Sequence, residues 1–235
     1  MTNLFRPSSA TEESEWLSVS DLMAGLMVIF LFIAIVYIRP LIEQQARIKE
    51  LAVVWQENEV KIYEALLEEF QDDLPKWDAE IERDTLLFRF NAPEVLFEQA
   101  STDITPHFEK ILNDFFPRYA DKLRSFQNSI EELRIEGHTS SIWEGAKTKQ
   151  EAYFHNMELS QGRTRSVLQY VLTNPALDSD KEWVQDLLTA NGLSSSKRIF
   201  FPNGGENQKA SRRVEFRVET KARRELVRIL EELEQ

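Results

Sequence analysis

Read for its hydrophobic and polar positions, the chain opens with one unbroken apolar run and then changes period. The stretch Leu17–Ile38, preceded by Trp16, reads LSVSDLMAGLMVIFLFIAIVYI, and no side chain from Leu22 to Ile38 is charged. That is long enough to cross a bilayer, which takes ~20 residues. One carboxylate, Asp21, sits near its start. It either caps the helix in the headgroup region or lies deeper, where a carboxylate costs roughly 2.5–3.5 kcal/mol and faces a partner or a watery path. Arg39-Pro40 predicts a bend or restart of the helix, because Pro lacks the backbone donor. Beyond it, Leu41, Ile48, Leu51, Ala52, Trp55, Ile62, Leu66 and Phe70 fall on one stripe at the helical period, broken by Glu59, with a Glu-rich opposite face. Such a stripe must be covered, by the same segment of a second copy in a parallel stalk or by the chain's own domain. Pro75 predicts the end of this helix.

From Thr85 onward the pattern is mixed α/β. Thr85–Phe90 reads as a strand. Pro106 to about Arg124 reads as a helix with Thr105 as N-cap and Phe108, Ile111, Leu112, Phe115 and Phe116 inward. Leu133–Gly137 reads as a strand, and Leu159–Leu172 as a helix with Val167, Leu168 and Val171 inward. Glu182–Asn191 reads as a short helix closed by Gly192. Arg198–Phe201 and Val214–Val218 read as strands, and Lys221–Glu234 as an amphipathic terminal helix with Leu226, Ile229, Leu230 and Leu233 as its stripe. The expected architecture is a single N-terminal transmembrane helix, a helical stalk, and an α/β domain with helices packed on a mixed sheet. The expected boundaries are a short cytoplasmic leader at 1–16, the membrane helix at 17–38, the linker at 39–83, the domain at 84–220 and the terminal helix at 221–235.

Composition narrows the function. The 235 residues contain no cysteine, which removes disulfides and thiolate metal sites, and a formal net charge of −12 argues against general nucleic-acid binding. Residues 41–84 hold thirteen Asp/Glu against five Lys/Arg, so most of the excess lies in the connecting segment. The apolar run ends in Val36-Tyr37-Ile38-Arg39-Pro40, which offers no small-residue cleavage site, so it reads as an uncleaved anchor. Arg39, Arg47 and Lys49 after the run would by themselves place the C-terminal side in the cytoplasm. His107, His138 and His155 lack metal-ligand spacing, and no nucleophile–base pair stands out, so neither a metal centre nor an enzyme is expected.

The run Asp21-Leu22-Met23-Ala24-Gly25-Leu26-Met27-Val28-Ile29-Phe30-Leu31 resembles the membrane helix of the flagellar stator B subunit, MotB. Ala24 and Gly25 would let a neighbouring helix approach closely. Three further motifs resemble the OmpA/MotB peptidoglycan-binding domain and come in that family's order. They are Val95-Leu96-Phe97 with Thr105-Pro106, Ile135-Glu136-Gly137-His138-Thr139, and Asn156-Met157-Glu158-Leu159-Ser160-Gln161-Gly162-Arg163, followed by Arg212-Arg213-Val214-Glu215. The polar leader Thr11-Glu12-Glu13-Ser14, the acidic connecting segment and the departures from MotB are more similar to the B subunits of Zorya anti-phage defence than to a flagellar stator.

The resemblance implies Asp21 as the ion-translocating residue, carrying H⁺ or Na⁺, and a wall site made of His138, Thr139, Ser140, Asn156, Leu159, Arg163, Arg212 and Arg213. It implies a homodimer inside a MotA-like A-subunit ring of five copies, and peptidoglycan as anchor. It also implies a single-pass inner-membrane protein with the N-terminus cytoplasmic and the domain periplasmic, the opposite of the Lys/Arg count. Stem peptides carry free carboxylates, which a guanidinium can take bidentately. Arg163, read as lying in the first turn after Ser160, would add the donors of a helix N-terminus. Where the family commonly has Asp, to hold an ammonium of the stem peptide, this chain has Ser140. The loop Ser141–Phe154 carries Trp143 and Tyr153, placed to stack on sugar faces or to pack internally. Two other functions fit the same outline. A static wall tether has no use for Asp21, and a TolR-like transducer shares Asp21 but lacks the OmpA-type motifs.

Overall fold

The computed structural model describes residues 9–91, 96–98 and 101–221. The predicted terminal helix, Val95 of the first motif and the side chains of Leu51, Ala52 and Trp55 lie outside the described residues. Helix α1 spans Ser9–Phe70, and the chain divides into two compact units, up to Val53 and from Val54. The helix runs on through Pro40 instead of restarting there. Only the bond to the carbonyl four residues back, at Val36, is forfeited in a long ladder.

In the first unit the apolar side chains face outward. Leu22, Met27, Phe30 and Phe32 are each more than 60% exposed. The stretch Val19–Glu50 is long and apolar enough to cross a membrane, and none of its most apolar window is buried. A soluble core helix would pack such a stripe; here hydrocarbon is the solvent that suits it.

The second unit begins about thirty residues before the expected domain boundary at 84. Ile62, Leu66 and Phe70, three of the stripe positions of α1, are fully buried in its core. The second of the two expected covers, the chain's own domain, therefore holds for this end of the stripe. Arg118 fixes the end of α1: its Nε donates to Glu69 (2.6 Å), its Nη1 to Asp73 (3.0 Å), and its guanidinium lies 4.8 Å over the Phe70 ring. Helix α1 stops at Phe70, before Pro75, which lies in the following turns.

The sheet has five strands: β1 Ala79–Glu82, β2 Leu87–Phe90, β3 Ile130–His138, β4 Leu188–Gly192 and β5 Arg213–Thr220. Their order is β1-β2-β5-β3-β4, with β3 and β4 parallel and the other pairs antiparallel. Helix α2, Pro106–Arg124, starts as expected: the Thr105 hydroxyl accepts from the Phe108 amide and Pro106 opens the helix. Its buried face meets the inward residues of β2 and β5, with Phe115 4.5 Å from Phe88 and 5.1 Å from Phe216 between ring centroids. Such close aromatic packing adds to burial. Helix α3, Lys149–Leu172, lies on β3 and β4, and two short helices follow, α4 Lys181–Leu187 and α5 Gln208–Ser211.

Four expectations about elements are corrected. β1 falls inside the predicted linker; its Glu80 and Glu82 mark it as an edge strand, where charge protects against further pairing. Leu188–Gly192 is a strand and not the end of a helix, because its backbone pairs with Leu133–Gly137. Arg198–Phe201 forms no strand and has only an isolated bridge, Phe200 to Glu206. Helix α3 begins ten residues earlier than expected. Thr148 caps it by accepting from the Glu151 amide, while the Glu151 carboxylate accepts from the Lys147 amide. The sequence signal for this start was Thr148-x-x-Glu151.

Candidate functional site

The predicted wall-site residues come from the end of β3, the loop after it, the middle of α3 and the start of β5. Gly137 and Gly192 are partners across β3 and β4. A Cβ on Gly137 would lie 2.9 Å from the Ser160 carbonyl oxygen, and one on Gly192 would collide with the Gln161 backbone nitrogen. Two glycines side by side thus let α3 rest directly on the strands at Ser160–Gln161, which sets Asn156 against the segment that follows Gly137.

Ser194 ties these pieces together. It is fully buried, with φ +51°, a conformation L-residues seldom adopt. Its amide donates to the Ser160 hydroxyl (3.0 Å), its hydroxyl to the Tyr153 carbonyl (2.8 Å), and its carbonyl accepts from the Thr139 amide (2.9 Å). Thr139 and Ser140 are buried, and the Thr139 hydroxyl finds no hydrogen-bond partner among the described residues. Asn156 is buried and donates to the Ile142 carbonyl at 3.3 Å. Leu159 is half-buried on the same helix. Trp143 stacks on His155, ring centroids 5.1 Å apart.

Arg163 lies about four turns into α3, so the expected help from a helix N-terminus does not exist. Ser160, expected as an N-cap, is buried mid-helix and donates to the Met157 carbonyl. Other contacts hold Arg163: its Nε donates to the Ser101 carbonyl at 2.9 Å and its guanidinium lies 4.8 Å from the Phe97 ring centre. Among the described residues no carboxylate pairs with Arg163 or with the exposed Arg212. Burial, and secondarily the charge of Arg212, pull Arg163 down to about 10. It stays protonated at neutral pH, but its charge is held at a cost.

Arg213 leaves the candidate set. It is buried on the outer face of the sheet, where its Nε donates to Glu215 (2.6 Å) and its Nη1 to the carbonyls of Lys197 and Ser211 (3.1 Å each). The same face carries Arg89, which donates to Glu215 (2.7 Å) and Glu80 (2.7 Å), and Arg217, which donates to both oxygens of Glu136 (3.1 and 3.2 Å). His138 points here too, its Nε2 3.0 Å from Glu215 and 3.7 Å from Glu136. Burial works to raise both carboxyls, but His138 and the arginines win: Glu136 falls to about 2, and Glu215 falls well below the carboxylate range.

Glu136, His138 and Glu215 place one ligand atom each within 4.8 Å of one another, a grouping that counting histidines in the sequence missed. Arginines already neutralise both carboxylates, so a cation there would meet guanidinium charge; the cluster is an internal ion network.

In the first unit, Asp21 borders a shallow groove with Val19, Leu22, Gly25, Leu26 and Ile29. Nothing lies within 4 Å of where a Gly25 side chain would be. The groove offers a second helix a close approach beside a carboxylate.

No protein-family model matches the chain. Among solved structures, it is similar to a MotB-like protein of Desulfovibrio vulgaris (23% identity, 73% of this chain and 94% of that one, TM-score 0.48). It is also similar to the cell wall anchor of the type VI secretion system of Pseudomonas aeruginosa (22%, 66% and 96%, TM-score 0.43). A third similar structure is the periplasmic domain of Helicobacter pylori MotB (18%, 66% and 89%, TM-score 0.43). At the level of sequence, the Zorya protein ZorB of Escherichia coli (strain Crooks) is 46% identical over 226 residues, 96% of each chain. With likeness of that depth running through both the apolar helix and the sheet domain, the chain belongs to the ZorB family.

Proposed function

We propose that the chain is the peptidoglycan-anchored B subunit of an ion-driven motor in the bacterial inner membrane, acting in anti-phage defence. Two copies stand inside a ring of MotA-like A subunits, the domain lies on the periplasmic side, and Asp21 takes up and releases H⁺ or Na⁺ as the ring passes. The observation that carries this reading is Asp21 itself, the single charged residue between Glu15 and Arg39, in the apolar stretch of α1, of whose most apolar window nothing is buried. One elementary charge moving through 100 mV is worth about 2.3 kcal/mol. Keeping a carboxylate charged at membrane depth costs roughly 2.5–3.5 kcal/mol. The two are matched closely enough for a ring contact to tip the balance. The unpaired guanidinium of Arg163 supports the anchoring half, since it suits a stem-peptide carboxylate.

Asp21→Asn keeps size and hydrogen bonding but removes the titratable charge. In cells carrying the complete system, protection measured by phage plating is expected to vanish while the variant reaches the membrane at normal levels. Full protection by the variant would mean a static tether instead.

A further inference from the structure

We propose that the loop at 200–206 is a membrane-docking tip, which sets Phe200 and Phe201 into the surface of an anionic phospholipid bilayer. The loop is held in one shape by its own backbone. The Phe200–Glu206 bridge closes it, the Phe201 amide donates to the Gly205 carbonyl (2.8 Å), and the Gly204 amide donates to the Phe201 carbonyl (2.9 Å). Gly204 takes φ +85°, which suits glycine, and the Gly205 amide donates to the Asn203 side chain (3.0 Å). The base is fastened as well. The Asn207 amide donates to the Ile199 carbonyl (2.8 Å), and the Ile199 amide to the Ser211 hydroxyl (2.9 Å).

So ordered a loop could have buried its aromatic rings, yet both stay open. Phe200 is 52% exposed and Phe201 49%. Two consecutive residues uncovered together leave neither side of the tip packed on the domain. Exposed Ile142 extends this apolar surface, because Glu206, the bridge partner of Phe200, accepts from the Ser141 amide at 2.9 Å.

Charge points the same way. Residues 197–212 hold four Lys/Arg against one Asp/Glu, in a chain whose formal net charge is −12. Lys197, Arg198 and Lys209 are exposed, and no carboxylate among the described residues forms an ion pair with them. The Arg198 guanidinium lies 5.3 Å over the Phe200 ring, so cation and aromatic surface are presented together. The one acid, Glu206, is half-buried and taken up by Ser141.

A rigid partner is seated by a groove that its own ridge can fill. A projecting apolar tip rimmed by cations suits a surface that yields around it. In a bilayer interface aromatic rings rest at headgroup level, while lysines and arginines meet the lipid phosphates.

The test holds the full chain in nanodiscs of phosphatidylcholine and floats it with vesicles of phosphatidylcholine, either alone or mixed with phosphatidylglycerol. Wild type is expected to float about tenfold more with the anionic vesicles, and to lose that preference at high salt. Phe200→Ser combined with Phe201→Ser leaves every charge in place and should weaken binding to anionic vesicles about tenfold. Lys197→Gln combined with Arg198→Gln should weaken it too and flatten the salt dependence. Both variants alter exposed side chains, so their thermal unfolding midpoints should match wild type. If wild type floats with both vesicles alike or with neither, or if the phenylalanine variant floats as wild type does, the proposal is overturned. It is equally overturned if that variant floats normally and instead loses sedimentation with sacculi, which would give the tip to the wall site.

Discussion

Arg163 and Arg213 are two arginines of one domain, drawn from two motifs of the same family pattern, and their surroundings are opposite. Burial disfavours the charge of both. Around Arg213, Glu215 pulls the charge back, and two carbonyls complete the guanidinium. Around Arg163, among the described residues, the other charge acting on it is Arg212, which pushes the same way as burial. One region satisfies its charges internally and is a structural element. The other leaves a cation without an anion among the described residues, the arrangement expected if it serves the proposed wall site at a cost in stability.

The sharpest way to break this contrast is to take the anion away from Arg213. Glu215→Ala strips Arg213 of its carboxylate and takes one of the carboxylates from Arg89 and His138 at once, and a cost of about 3–5 kcal/mol is expected, read as a fall in the thermal unfolding midpoint of the detergent-solubilised chain. A variant as stable as wild type would show that the sheet network contributes little.

Acid should undo the same network. The folded-state value of Glu136 is depressed from an ordinary 4.5 to about 2. A depressed carboxyl gives stability that is fully present above its unfolded value and lost as pH falls through its folded one. Stability is therefore expected to decline between about pH 4.5 and 2, by on the order of 3 kcal/mol from this residue. Glu136→Gln should flatten that limb in denaturation curves collected across the range.

Arg163→Met should do the reverse of Glu215→Ala. It keeps apolar contact with Phe97 and removes a cation held at a cost, so the unfolding midpoint is expected to stay level or rise. Sedimentation with sacculi should weaken by roughly tenfold or more. Unchanged sedimentation would mean that the domain has kept its fold and lost its ligand. Arg212→Ala is the mildest case: an exposed cation, about two- to threefold in binding at low salt and nothing at high salt.

Much of this was legible in the order of residues. The uncovered apolar run, Asp21, the capped start of α2 at Thr105-Pro106 and its inward face are local patterns, and each is found where its period puts it. The start of α3 is equally local, at Thr148 and Glu151, ten residues before the start at Leu159 that the motif around Ser160 implies. Leu188–Gly192 has no alternation to mark a strand; it becomes one only because β3 lies beside it.

What the sequence by itself determined is which segments are apolar, helical or extended, and which chemical groups are available. Whether a charge is used up or left open was decided only by the tertiary structure. Glu215 reaches Arg89, 126 residues earlier, Arg217 reaches Glu136 across 81, and Glu206 settles on Ser141 across 65. The state of a buried charge depends on partners brought within a few ångströms, and separation along the chain carries almost no information about that distance.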